Sequence, residues 1–186
     1  YVWSRFRGMG WHWVDGLNRA DWSASQKSKF LTFLPFTTET WSRVNDWLGN
    51  AVNSYWENVR PNPYENDEDL NFAIEKLIEV GRPLAAIDCL HAQVNNKLPL
   101  DSNLAIKALS DATITNEPIN SRDSYDIVEL IKALQESSDV DINDIYNIEW
   151  YYLPLLDRHS GAEPKFLERR LATQPSYFCY LIRILY

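Results

Sequence analysis

The chain has 186 residues, of which 45% are apolar and 13% aromatic, and this composition excludes intrinsic disorder and a collagen-like fibre. Its net charge of −8 is uneven: residues 1–60 carry 7 basic and 5 acidic residues, whereas residues 61–186 carry 11 and 21, which argues against a nucleic-acid partner. Two cysteines cannot build a disulfide framework, and no apolar run reaches the length of about 18–20 residues that spans a bilayer, so the sequence predicts a soluble, cytoplasmic protein with no membrane partner.

The first 60 residues are aromatic and are predicted to be helical. Ser23 is typical of a helix start and Gly49 of a helix end. Trp41, Val44 and Leu48 recur at a helical spacing and therefore share one face. The two prolines that follow Arg60 cannot lie inside a helix, which places the best internal boundary there. We therefore divide the chain into an N-terminal portion, 1–60, and a second portion, 61–186.

The clearest helix follows this boundary, where apolar residues recur at i, i+3, i+4, i+7 and i+8. They are Leu70, Ala73, Ile74, Leu77 and Ile78. Asn66 or Asp67 is the predicted N-cap, and Gly81 stands where a left-handed residue ends the helix. Pro83 suits the first turn of the next helix, so two consecutive helices form a hairpin.

Helix starts continue along the second portion. They are predicted near residues 67, 83, 102, 123, 142, 164 and 175, with Asp101 and Asp141 as caps. Hairpins therefore recur about every 40 residues, and no run alternates as a strand does. The small residues that define a strict tetratricopeptide repeat are missing at Ile74 and Gln93. The sequence predicts an all-α fold, an irregular α-solenoid of stacked hairpins related to HEAT or tetratricopeptide arrays.

Several stretches also resemble a known group of sequences. They are Leu34-Pro35-Phe36, Glu39-Thr40-Trp41, Tyr55-Trp56 before Arg60-Pro61-Asn62-Pro63, the run from Ala73 to Leu90, Tyr152-Leu153-Pro154-Leu155-Leu156-Asp157, and Leu167 to Leu171. From about Phe30 onward the chain resembles a segment of large, poorly characterised bacterial multidomain proteins. This resemblance implies a place inside a longer bacterial polypeptide and carries over no catalytic residue. The apolar ends likewise lead us to expect that the chain is cut from a longer one.

Metal and cofactor motifs are incomplete. Asp139, Asp141 and Asn143 have the spacing of a calcium loop, but its turn glycine is replaced by Asp144 and its closing glutamate by Trp150. Cys89 and His91 have no second ligand pair at zinc spacing, and a histidine packed at the edge of the apolar stripe is the expected arrangement. We therefore expect no metal and no cofactor.

One cluster combines a carboxylate, an imidazole and a hydroxyl, at Asp157, His159 and Ser160. It could serve a hydrolase or transferase, although its composition is also that of a helix end. A second alternative is a peptide or small-ligand site among the N-terminal tryptophans, with Trp3, Trp11 and Trp13 as binding residues. The same tryptophans could instead build a core or a domain interface.

The last helix has no polar outer face. We predict that Phe178, Leu181 and Leu185 point inward and that three binding residues point outward, namely Tyr177, Tyr180 and Ile184. Cys179 is expected to lie in apolar surroundings that keep its thiol inert. Exposed side chains of this kind favour a protein partner, which is another domain of the parent chain, a separate protein or a second copy in a homodimer. The leading prediction is a non-catalytic protein-interaction scaffold that is not an enzyme.

Overall fold

A computed structural model describes residues 1–64, 69–115, 121–157 and 161–185. These residues form eleven α-helices and no strand, which confirms the all-α prediction for this part of the chain. The helices are α1 (Val2–Asp15), α2 (Ala24–Leu31), α3 (Thr38–Leu48), α4 (Asn53–Trp56), α5 (Asn71–Glu79), α6 (Pro83–Asn95), α7 (Ser102–Ala112), α8 (Ser121–Glu136), α9 (Ile142–Tyr151), α10 (Lys165–Thr173) and α11 (Tyr177–Leu185). Short 3₁₀ turns occupy Gly49–Ala51 and Leu153–Leu155.

Side chains next to the helix ends explain where several helices begin and stop. Ser23 and Gln26 form a reciprocal capping box at the start of α2. Asp101 and Asp141 accept backbone N–H groups at the starts of α7 and α9, which confirms both predicted caps. Gly81 has a φ of +74°, so it ends α5 in the left-handed conformation that was predicted for it.

Two local features differ from the sequence predictions, and one prediction concerns residues that the structure does not describe. α1 contains a break at Gly10, whose φ of 59° and ψ of −155° are not helical. The segment from Val52 to Val59, within the part predicted to be helical, forms only the four-residue helix α4 and its flanking turns. The predicted caps Asn66 and Asp67 lie outside the described residues.

The middle helices pack in a regular order. α5 packs on α6 and α7, α6 on α7 and α8, and α7 on α8 and α9. A continuous cluster of buried side chains extends from Val14 in α1 to Ala162 before α10. The N-terminal portion and the middle helices therefore share one core. Within the described residues, every helix is too short or too polar to cross a membrane.

Arg82 joins the N-terminal portion to the middle helices. It lies between α5 and α6, and its guanidinium donates to the carbonyl oxygens of Trp56, at 2.8 Å, and Val59, at 2.6 Å. The last carbonyls of a helix lack partners within it, so this side chain completes the end of α4.

Glu149 holds α8, α9 and α10 together. Its side chain is fully buried in α9, and Oε2 accepts the backbone N–H of Leu167 at 2.6 Å, in the first turn of α10. Gln135 of α8 donates through Nε2 to Oε1 of Glu149 at 2.6 Å and to the carbonyl of Glu163 at 2.9 Å. A carboxylate at a helix N-terminus is favoured by the helix dipole, so this network fixes the position of α10.

Candidate functional site

The most exposed apolar surface near the C-terminal end of the described chain lies on α11. Leu181 is fully buried, whereas Phe178, Tyr180 and Ile182 are exposed by 48%, 52% and 37%. We call these three exposed side chains the α11 face. The orientation prediction is confirmed for Leu181 and Tyr180. It is wrong for Phe178, which contacts the edge of the Trp150 ring of α9 and stays half in solvent.

Tyr177 takes a different position from the one predicted. It is half-buried, because its ring packs against Tyr146 of α9 with the ring centres 5.8 Å apart. It also stacks on Tyr180, with ring centres 5.4 Å apart and an interplanar angle of 26°. The side chain of Ile184 lies outside the described ones. Two of the three predicted C-terminal binding residues are therefore brought together in one aromatic stack.

A cavity of about 300 Å³ opens beside this stack, and we call it the Arg170 pocket. Its lining residues are Asn143, Asn147, Arg170, Tyr177 and Tyr180. The guanidinium carbon of Arg170 lies 4.8 Å from the ring centre of Tyr146 and 4.6 Å from that of Tyr177. Such cation–π contacts hold the guanidinium of Arg170 at the wall of the pocket.

Two polar atoms of the Arg170 pocket are buried without a hydrogen-bond partner among the described residues. They are Nε of Arg170 and Oδ1 of Asn147. Arg170 also forms no ion pair with any described carboxylate, although the protein has 26 acidic residues. Buried donors and acceptors are normally paired, so these two atoms are exceptions within the described residues.

The N-terminal tryptophans are spread over two environments. Trp41 and Trp56 are buried in the core, where they pack on each other and on Phe36. Trp11 and Trp47 are half-buried, and each is covered by an arginine whose guanidinium carbon lies 4.0 Å from the ring centre.

The three predicted binding residues of α1 also differ from one another. Trp3 is 38% exposed and stacks on Phe6, while Trp11 meets the edge of the same ring at 4.8 Å. Trp13 packs against Phe30 instead, with ring centres 5.9 Å apart. Trp3 and Trp11 are thus linked through Phe6, and Trp13 belongs to a separate aromatic group.

A polar cleft of about 570 Å³ lies between the segment after Arg60 and helices α6 and α8. Its charged and phenolic lining residues are Arg60, Tyr64, Asp88, Arg122, Asp123 and Asp126. Behind it lies His91, which was predicted to pack at the edge of the apolar stripe; it is almost fully buried, with Nδ1 2.9 Å from Oδ1 of Asp126. Asn95 lies 3.2 Å from the other ring nitrogen, so Nδ1–H donates to Asp126 and Nε2 accepts from Asn95.

The charges in the polar cleft compensate one another. Burial raises the pKa of Asp126 and that of Asp88, and the neighbouring Arg122 acts in the opposite direction on both. Arg122 lies 2.7 Å from Asp88 and 3.8 Å from Asp126. Because Arg122 already lies beside both carboxylates, the polar cleft has less uncompensated charge for an incoming ion than the Arg170 pocket has.

Sequence reasoning found neither the cleft nor the pocket. His91 and Asp126 lie on different helices, so their contact leaves no pattern in the sequence. The one sequence pattern that pointed to the cleft is the spacing of four between Arg122 and Asp126, which places both on one helix face.

Of the predicted hydrolase pair, Asp157 is exposed after the second 3₁₀ turn and His159 lies outside the described residues. Cys179 is exposed to solvent rather than enclosed by apolar side chains as expected, and Cys89 is the buried cysteine.

Comparison with known proteins gives no further guide to this site: no family model, no curated protein and no solved structure matches the chain.

Proposed function

We propose that this chain is a non-catalytic protein-interaction module and that the α11 face is its binding surface. One observation carries the proposal: α11 buries Leu181 and leaves Phe178, Tyr180 and Ile182 in solvent. Each large apolar side chain that becomes buried contributes about 1.5–3 kcal/mol. The isolated chain leaves these three side chains in solvent, whereas a partner that covers them gains this free energy.

The packing order of the middle helices supports a scaffold. In a solenoid each helix contacts the next one and the one after it, and α5 to α9 follow this order. We propose on this ground that the chain is an irregular solenoid of the HEAT or tetratricopeptide kind. Its place within a larger bacterial protein remains a prediction, which the reading frame around the coding sequence would test.

Site-specific photo-crosslinking in the native host tests the proposed function. A benzophenone amino acid is placed at Tyr180 on the α11 face or, as a matched control, at Ile114 after α7, which is 81% exposed. The expected result is a discrete protein adduct from position 180 and none from position 114. Equal labelling at both positions, or no adduct at 180, would contradict the proposal.

A further inference from the structure

We propose that the polar cleft binds a small zwitterion, a molecule that carries one ammonium and one carboxylate group, as a free amino acid does. This ligand site shares no residue with the α11 face and goes beyond the proposed function. Its volume of about 570 Å³ lies within the range of about 300–1,000 Å³ that is usual for small-molecule pockets.

Asp126 supplies a fixed acceptor for the ammonium group. Its side chain is only 4% exposed, and it lines the cleft. Oδ1 is held by His91, which is held in turn by Asn95, so the carboxylate has one orientation. Oδ2 forms no hydrogen bond with a described residue, since Nε of Arg122 is 3.8 Å away. It is not one of the fully enclosed unpaired atoms, so a ligand in the cleft can reach it.

The surroundings of this carboxylate favour a positive group. Burial raises the pKa of Asp126, and the charge of Asp88 adds to that increase. An ammonium group beside Oδ2 would offset both effects. It has three N–H donors and no acceptor, and its hydrogen bond to a carboxylate is about twice as strong as one between neutral groups.

Arg60 supplies a cation for the carboxylate end of the ligand. It lines the same cleft, it is exposed, and it forms no ion pair in the described part of the chain. Arg122 differs, because it is already 2.7 Å from Asp88. The cleft therefore contains an unpaired guanidinium and an unpaired carboxylate oxygen.

The mixture of charges disfavours a ligand of one sign. An anion would meet three carboxylates, and a simple cation would meet two guanidinium groups; they belong to Asp88, Asp123 and Asp126, and to Arg60 and Arg122. A zwitterion places each of its charges beside an opposite one and leaves the net charge of the cleft unchanged.

The remaining wall of the cleft suits a carbon chain between the two charges. Its apolar lining residues are Pro61, Pro63, Leu84 and Ala85. Methylene groups of a ligand lose exposed apolar surface when they contact such side chains, whereas sugar hydroxyls do not. We therefore assign an aliphatic amino acid as the class of ligand.

NMR titration of the full chain tests this inference. The probes are unbranched amino acids in which one to five methylene groups separate the ammonium from the carboxylate, so that only the distance between the charges varies. We expect saturable shifts, with one length bound most tightly. The N-acetyl form of that ligand should bind about tenfold more weakly, and its amide form about two- to fivefold more weakly because Arg60 is exposed.

Two substitutions assign each end of the ligand. Asp126→Asn keeps an oxygen for the Nδ1–H of His91 and should weaken binding of the zwitterion about tenfold, whereas Arg60→Gln should weaken it about two- to fivefold. The matched controls Glu136→Gln and Arg169→Gln alter exposed residues outside the cleft and should bind as wild type does. The N-acetyl form should be insensitive to Asp126→Asn, and the amide form to Arg60→Gln.

Several results would overturn the assignment. They are the absence of saturable shifts at millimolar concentrations of every probe, equal binding of the zwitterion and its two blocked forms, and tighter binding of an uncharged polyol. Unchanged affinity in Arg60→Gln and Asp126→Asn would do the same. If Asp126→Asn lowers the melting temperature, the blocked ligands and the exposed Arg60 decide the question on an intact fold. None of these results depends on crosslinking at position 180.

Discussion

Replacing Glu149 by alanine tests how the part of the fold that carries Arg170 is held in place. The substitution removes the acceptor of two close hydrogen bonds, from the Leu167 N–H and the Gln135 side chain, both at 2.6 Å. A buried donor that loses its acceptor costs about 1–3 kcal/mol. With two donors affected, we expect the free energy of unfolding to fall by about 3 kcal/mol, toward the lower end of their sum.

Thermal denaturation followed by far-UV circular dichroism measures this loss. For a chain of this size, about 1 kcal/mol corresponds to about 2–4 °C, so the melting temperature should fall by about 6–12 °C. Glu136→Ala on α8 is the matched control, since Glu136 is exposed and the same change there should stay within about 0.5 kcal/mol. Equal losses in the two variants would refute the assignment of Glu149 as the residue that fixes α10.

The same residue gives a pH-dependent difference. Burial raises the pKa of Glu149 above 4.5, although the hydrogen bonds from Leu167 and Gln135 act against burial. The folded state then binds this proton more tightly than the unfolded state, so the stabilisation is complete below pH 4.5 and is lost as the pH rises through the folded pKa. Urea unfolding of wild type and Glu149→Gln should give a difference, wild type minus variant, that grows as the pH falls toward 4.5. A constant difference would contradict it.

Three further substitutions and one chemical modification test the fold. Trp56→Ala should lower the free energy of unfolding in urea by about 3–5 kcal/mol, because the ring is fully buried in the core, and a loss below about 1 kcal/mol would contradict that position. Gly81→Ala should destabilise by about 1–2 kcal/mol because φ is +74°, whereas Gly8→Ala within α1 should stabilise by about 0.5–1 kcal/mol, and neither added Cβ has an atom within 4 Å. A thiol reagent should modify Cys179 in the native protein and Cys89 only after denaturation, as read by peptide mass spectrometry, since Cys89 is buried and burial raises the pKa of its thiol.

Local signals in the sequence were sufficient for most helix boundaries. Asp101, Asp141 and Gly81 each act on backbone groups within a few residues, so their roles depend little on the rest of the fold. The break at Gly10 was not predicted, because a glycine inside an amphipathic pattern is compatible with a continuous helix. Periodicity also assigned Phe178 to the buried face, but only one narrow side of α11 is covered by other helices.

The candidate site could not be predicted from the sequence, because its parts meet only through tertiary packing. Arg170 resembles an ordinary cation in the last turn of a helix. Its unusual character comes from Tyr146 on α9 and Tyr177 on α11, which approach it from two other helices. Tyr177 and Tyr180 were identified as candidates from their apolar surroundings alone, and the charge beside them was missed. Neighbours in space, rather than neighbours in sequence, define this pocket.

The two hydrogen bonds from Arg82 have a consequence for how the chain unfolds. Trp56 and Val59 belong to the N-terminal portion, and Arg82 lies directly before α6 in the second portion. Loss of either portion would remove both of these hydrogen bonds. Because the two portions also share one buried core, we expect them to unfold together and neither to keep its native packing when the other is removed.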